Sequence, residues 1–166
     1  MTFTRSMESP IGKITLCSEG EAIIGLALDQ QRHPRDRSTA IAEPTAVLLE
    51  AERQIQEYFD GARKSFDLPL RPQGTAFQGQ VWQQLLAIPF GQTISYLELA
   101  RRIGNEKAVR AVGMANGRNP IGLIIPCHRV IGSNGDLTGY GGGLLRKEYL
   151  LKHEGARLSG EQPSLF

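Results

Sequence analysis

Ser95-Tyr96-Leu97-Glu98-Leu99-Ala100-Arg101-Arg102-Ile103-Gly104-Asn105-Glu106-Lys107-Ala108-Val109-Arg110-Ala111-Val112-Gly113-Met114-Ala115-Asn116 is the stretch on which the architecture turns. Ser95-x-x-Glu98 has the spacing of a capping box, in which each side chain satisfies the other's free backbone N–H. It predicts a short helix with Leu99, Ala100 and Ile103 turned inward. Gly104-Asn105 supplies a stop and a new N-cap, so a second helix is expected from about Lys107 to Asn116. Two short helices joined through a glycine turn have helix-turn-helix spacing, which proteins that never meet nucleic acid also use. Ala108, Ala111, Gly113 and Ala115 keep the second helix slim, and Arg110 projects from it. Small residues let a backbone approach another surface closely. That surface is a neighbouring helix or a DNA groove, the minor groove at ~6 Å wide having most need of a slim helix.

Upstream, Thr75-x-x-Gln78 is another capping box, and Phe77, Val81, Trp82, Leu85 and Ile88 line one helix face as far as Pro89. Leu68-Pro69-Leu70-Arg71-Pro72-Gln73-Gly74 before it reads as a linker. The chain is therefore expected to divide into an α/β domain over 1–72 and a mainly α domain over 73–166, with a short tail from about 159. In the first part, Ile11-Gly12-Lys13-Ile14-Thr15-Leu16 alternates as a half-buried strand, and Ala22–Leu28 is a buried-strand candidate, with Glu19-Gly20 as the turn between them. A helix opening near Pro44 places Leu48, Ala51, Ile55 and Phe59 at helical spacing and stops at Asp60-Gly61. Nothing in this region carries obvious chemistry, and it reads as a support.

Composition is that of an ordinary globular protein, with 40% hydrophobic and 22% charged residues. No apolar run approaches membrane-spanning length, and Met1–Ser6 lacks the apolar core of a signal peptide. With only Cys17 and Cys127, neither a disulfide framework nor a cysteine-rich zinc site is available, and a reducing cytoplasm is expected. Net charge is +2 but unevenly spread. Residues 1–89 carry 9 basic and 11 acidic side chains, residues 90–166 carry 10 and 6. A basic half suits a polyanion partner, and equally a solvated surface.

Downstream of the helix pair, Asn116-Gly117-Arg118-Asn119-Pro120 is a turn-rich loop, and Ile124-Ile125-Pro126-Cys127-His128-Arg129-Val130 follows. The apolar run reads as a buried strand closed by proline, leaving Cys127 at the chain exit. Cysteine reacts as thiolate, which a nearby imidazole or cation makes less costly; a packed core cysteine is the alternative. Asn119 reads as a turn initiator whose amide could also pin the loop that bears Cys127. Neighbours in an extended chain point to opposite sides, so Cys127 and His128 are expected to communicate through water. Gly132 to Gly143 holds six glycines around Tyr140 and permits close backbone approach, but no Lys-Ser/Thr follows as in a nucleotide-binding loop. A last helix is expected from Leu144 to Glu154, with Gly155 as its stop. Glu154 sits at the unfavourable end of that helix dipole, either as a tolerated surface residue or as an acid that orients His128.

Six segments in order, over about 75–158, resemble the O6-alkylguanine-DNA alkyltransferase (methylated-DNA–protein-cysteine methyltransferase) family: Phe90-Gly91-x-x-x-Ser95-Tyr96, Ala108–Gly113, Asn116-Gly117-x-Asn119-Pro120, Ile125–Val130, Thr138-Gly139-Tyr140-x-Gly142-Gly143 and His153-Glu154-Gly155. The resemblance implies a ribonuclease H-like N-terminal domain and a winged-helix-like, helix-turn-helix C-terminal one. It implies stoichiometric repair of O6-alkylguanine, and of O4-alkylthymine, in double-stranded DNA, by a monomer able to assemble cooperatively on DNA. Cys127 would be the alkyl acceptor, left permanently alkylated, His128 the water-mediated base, Glu154 its polarising acid and Asn119 the holder of the loop. Tyr96 would bond the base ring or shift its phosphate, and Arg110 would intercalate, with Ala111, Gly113 and Asn116 also at the DNA. Val130, Tyr140 and Gly141 would line the guanine pocket; Gly141 stands where some members carry a serine. No metal or cofactor is expected, since a zinc-binding N-terminus would need more ligands than Cys17 and His33. Gln162-Pro163-Ser164-Leu165-Phe166 is similar to peptides by which bacterial repair proteins dock on the sliding clamp. A Cys-His hydrolase and a DNA-binding alkylation sensor are the competing functions.

Overall fold

The computed structural model describes residues 1–31, 34–137 and 139–156. Three antiparallel strands, β1 (Thr2–Met7), β2 (Ile14–Glu19) and β3 (Ala22–Leu28), form a meander in the order β1-β2-β3. The register runs Thr2↔Glu19 to Met7↔Ile14, then Ile14↔Leu28 to Glu19↔Ala22, with an irregularity between Cys17 and Ser18. The strand expected over 11–16 begins only at Ile14. Ile11–Lys13 belongs not to a strand but to a turn closed by Ser9 and Gly12, with Gly12 at φ 103°, a conformation costly to a residue with a Cβ. Thr2–Met7 forms a further strand without a strong periodic signal, because Thr4, Arg5 and Ser6 at a sheet edge need no apolar alternation.

Helix α1 (Ala46–Phe59) packs on this sheet through Leu48, Ala51, Ile55 and Tyr58. The inward residue of its last turn is Tyr58, fully buried, whereas Phe59 is only partly buried. Both positions satisfy helical spacing from Leu48, so periodicity could not separate them.

Helix α2 (Ala76–Leu85) begins with the complete capping box of Thr75 and Gln78. Its Trp82 Nε1 donates to the Ala115 carbonyl at 2.8 Å, and a Cβ on Gly74 would lie 2.4 Å from the same ring. Strand β4 (Ile94–Ser95) leads into α3 (Tyr96–Arg102), where Ser95 Oγ accepts from Glu98 N at 3.0 Å. Only half of that box forms, because the Glu98 carboxylate pairs with Arg102. After Gly104 a 3-10 turn (Glu106–Ala108) precedes α4 (Val109–Gly117), so the α-helix starts two residues later than expected. Strand β5 (Val130–Ile131) pairs in parallel with β4, and α5 (Leu144–His153) follows.

The expected strand before Cys127 is absent: Ile121–Ile125 is a chain of turns with Leu123 at φ 68°. The run is apolar because it is buried on all sides, which periodicity cannot distinguish from a buried strand. Its start extends the N-terminal sheet, with Leu26 N donating to Pro120 O at 3.0 Å and Gly122 N to Leu26 O at 3.3 Å. The 68–74 segment also lies along β3, through Ile23 N to Pro69 O at 2.8 Å and Arg71 N to Ile23 O at 2.9 Å. One apolar core therefore runs from Leu16 and Ile23 through Tyr58 and Trp82 to Val112, Ile121 and Cys127.

Candidate active site

Cys127 opens a 3-10 turn, Cys127–Arg129, that follows the buried turns and leads straight into β5. Asn119 holds the approach: its Nδ2 donates to Ile125 O at 2.8 Å and its Oδ1 accepts from Ile121 N at 3.0 Å. Asn116, expected among the DNA contacts, is instead buried, and its Nδ2 donates to the Cys127 carbonyl at 3.3 Å. Its position on the inner face of α4 makes it a support of the cysteine turn.

The Cys127 side chain is 6% exposed and faces a cavity walled by Asn119, Tyr140, Gly141 and Gly142 on one side and by Leu26 and Leu28 of β3 on the other. Glycine is needed at 142, where a Cβ would lie 2.5 Å from Leu28 Cδ1 and 2.8 Å from the Tyr140 ring. Val130, expected as a pocket wall, is fully buried and does not line this cavity. It sits inside β5, paired with Ile94, and its carbonyl accepts from the Lys147 ammonium at 2.6 Å.

His128 and Glu154 have no side-chain exposure, and Nε2 lies 2.8 Å from Oε2. Three further donors reach that carboxylate: Arg129 Nε to Oε1 at 2.8 Å, Arg129 Nη2 to Oε2 at 3.0 Å, and the Tyr58 hydroxyl to Oε2 at 2.6 Å. Burial by itself would raise the Glu154 pKa, but hydrogen bonds from His128 and Arg129 outweigh it and hold the carboxyl well below its usual range. Burial lowers the His128 pKa, with Glu154 opposing and Arg129 and Lys147 assisting. A carboxylate can only accept, so His128 must carry its proton on Nε2. The neutral imidazole then presents Nδ1 as a base, and that atom is buried without a hydrogen-bond partner among the described residues.

Burial also raises the Cys127 pKa above that of a free thiol, opposed by the Asn119 hydrogen bond and the Lys147 charge. The thiol therefore needs a base to react near neutral pH. Lys147, fully buried on α5, is itself lowered to about 8, chiefly by burial. Sequence reasoning missed Tyr58, Arg129 and Lys147. Two are charged residues whose burial depends on partners far along the chain, and a tyrosine on a core helix face signals packing.

On α4, whose inner face carries Asn116, the residues Arg110, Ala111 and Met114 are exposed, and Arg110 forms no ion pair among the described residues. Tyr96 packs at the start of α3 with its ring 3.7 Å from where a Gly113 Cβ would stand and 5.9 Å from the Lys147 ammonium. Thr138, His33 and the tail from Arg157 to Phe166 lie outside the described residues. Among the described residues no group of three or more His, Cys, Asp and Glu could hold a metal, and no helix is long and apolar enough to cross a membrane.

Comparison with known proteins covers both halves of the chain. The family model for the 6-O-methylguanine DNA methyltransferase ribonuclease-like domain matches residues 3–72, and that for the DNA binding domain of the same family matches residues 76–156. A methylated-DNA–protein-cysteine methyltransferase of Methanosarcina acetivorans is 50% identical over 149 residues, 90% of this chain and 96% of that protein. One of Mycobacterium bovis is 46% identical over 157 residues, 95% and 94% of the two chains. The crystal structure of Mycobacterium tuberculosis OGT in complex with DNA superposes with a TM-score of 0.87 at 46% identity, covering 95% of this chain and 96% of that one.

Proposed function

Since the chain belongs to the 6-O-methylguanine DNA methyltransferase family, with its ribonuclease-like and DNA binding domains both present, we propose that it repairs O6-alkylguanine in double-stranded DNA by moving the alkyl group onto Cys127. The observation that carries this is the neutral His128 of the buried Glu154 cluster, its Nδ1 free to act as a base one residue from a buried thiol. A water molecule at Nδ1 relays the thiol proton to His128. The sulfur attacks the alkyl carbon, the C–S bond forms as the C–O6 bond breaks, and the bonding pair leaves with the guanine oxygen. The displaced guanine anion takes its ring proton from solvent water and so recovers its keto form, with the Tyr96 hydroxyl as a hydrogen-bonding partner of the ring. No metal or cofactor is needed, because sulfur is nucleophilic enough towards an alkyl carbon. The thioether has no hydrolytic exit, so each molecule reacts once.

The target base must leave the duplex stack to reach the cavity, at a cost of a few kcal/mol that a damaged pair reduces. Arg110 on the slim, exposed face of α4 fills the gap, with Ala111 and Gly113 letting the backbone approach. Tyr140 and Gly141 hold the extruded base against Cys127, and a backbone N–H serves where some relatives carry a serine. O4-alkylthymine is a second substrate of the same chemistry. The protein works in the cytoplasm as a monomer that assembles cooperatively on DNA, its two domains meeting near residue 72. Gln162–Phe166 docks on the sliding clamp: deleting it abolishes capture by the clamp in a pull-down, and unchanged capture removes that partner.

Stoichiometry tests the reaction. One guanine restored per protein, then none, supports suicide transfer. Repeated turnover on acyl substrates identifies a Cys-His hydrolase, and binding of lesion DNA without restoration identifies a sensor.

A further inference from the structure

Tyr58 belongs to the N-terminal half, which its sequence presents as a support, yet its hydroxyl reaches 96 residues along the chain to Glu154. The contact is built rather than incidental. Tyr58 is the fully buried residue in the last turn of α1, gripped by edge-on contacts to Phe59 and Phe90, with Phe66 and His153 also against its ring. His153 Nε2 in turn donates to the Tyr58 carbonyl at 2.8 Å, so both ends of the residue are tied to α5. The hydroxyl lands on Oε2, the same oxygen that accepts from His128.

We propose that Tyr58 is a positioning residue for the alkyl-transfer site, its hydroxyl sharing Glu154 Oε2 with His128 so that the imidazole stays neutral on Nδ1 and fixed in orientation. The N-terminal half is then part of the reacting machinery rather than a scaffold for it. This rests on the alkyl-transfer function proposed above.

Three donors compete for one charge. His128 Nε2, Arg129 Nη2 and the Tyr58 hydroxyl all draw on Oε2. Every donor added there leaves less negative potential to stabilise an imidazolium. Burial and the Glu154 charge keep the phenol protonated, so it remains a donor. The charged groups bearing on His128 are Glu154, Arg129 and Lys147, and those bearing on Tyr58 are Glu154 and Arg129, with the Tyr140 phenol also near. Removing the Tyr58 hydroxyl frees Oε2 to hold a charged His128 more strongly, which removes the base at higher pH than in the wild type.

The test is Tyr58→Phe, which keeps the ring and deletes only the oxygen, with 3-fluorotyrosine at 58 as a stronger donor that retains the bond. The His128 ring is titrated by heteronuclear NMR, and single-turnover transfer from free O6-benzylguanine is followed against pH. The expected result is an upward shift of the His128 titration and of the acid limb by about one pH unit in Tyr58→Phe, and a downward shift with fluorotyrosine. Lower thermal stability with both titrations unmoved would overturn the proposal and leave Tyr58 a packing residue. An NMR shift without transfer in the wild type would instead condemn the proposed reaction while keeping the Tyr58–His128 coupling.

Discussion

His128 and Glu154 stand 26 positions apart in the chain and meet at 2.8 Å with neither side chain exposed. The carboxylate is ionised and the imidazole neutral, so the pair acts as a tautomer lock rather than a store of charge. The transfer rate should therefore be flat across neutral pH and fall only below the ordinary imidazole value of about 6.5. In His128→Ala the rate should climb with pH instead, towards the raised pKa of the buried Cys127 thiol. Benzylguanine kinetics from pH 5 to 9 check both, and a flat profile in the variant would remove His128 from the role of base.

Glu154→Gln should cost about 3–5 kcal/mol in denaturant unfolding, because it leaves the buried Arg129 guanidinium without its counter-charge. The pH dependence follows in sign. The Glu154 pKa is depressed in the fold, so its stabilisation is complete above about pH 4.3 and is lost as pH falls below that value. His128, buried neutral with a depressed pKa, adds a loss that begins below about pH 6.5. Glu154→Gln should remove the lower step from the acid unfolding profile.

Arg110→Ala should lower repair of duplex DNA by about tenfold, the usual scale for one arginine contact, and leave the reaction with free benzylguanine within about twofold. The residue is exposed on α4 and has no ion pair or hydrogen bond with the Glu154 cluster among the described residues. Equal losses on the two substrates would reject its part in base extrusion.

Asn119→Ala should cost about 2 kcal/mol, for two buried-end hydrogen bonds that hold a turn containing a non-glycine residue at positive φ. It should also slow transfer, because the Cys127 thiol loses a hydrogen-bond partner that lowers its pKa. Unfolding and benzylguanine kinetics measure the two effects separately, and normal kinetics in a destabilised variant would confine Asn119 to the loop.

Much of the site was legible because its residues travel in short motifs. Cys127 and His128 are consecutive, Glu154 closes the last helix, and the turn chemistry of Asn119 names its partners within six residues. The fold class was readable for a similar reason, since capping residues and glycine stops are local signals. What stayed hidden depends on distant partners. Tyr58 looks like any aromatic on a core face until the end of α5 brings Glu154 to it, and Val130, which the family resemblance implies as a pocket wall, is turned inward by β5. The apolar run before Cys127 concealed turns, because complete burial erases the periodicity that would tell strand from coil.

Every step of the proposed repair depends on Cys127 taking the alkyl group and keeping it. Purified protein is mixed with excess duplex containing O6-methylguanine and its peptides are mapped by mass. The prediction is one added methyl on the Cys127 peptide, none on the Cys17 peptide, and one restored guanine per protein. An unmodified Cys127 peptide alongside restored guanine, or restoration continuing beyond one equivalent, would contradict it.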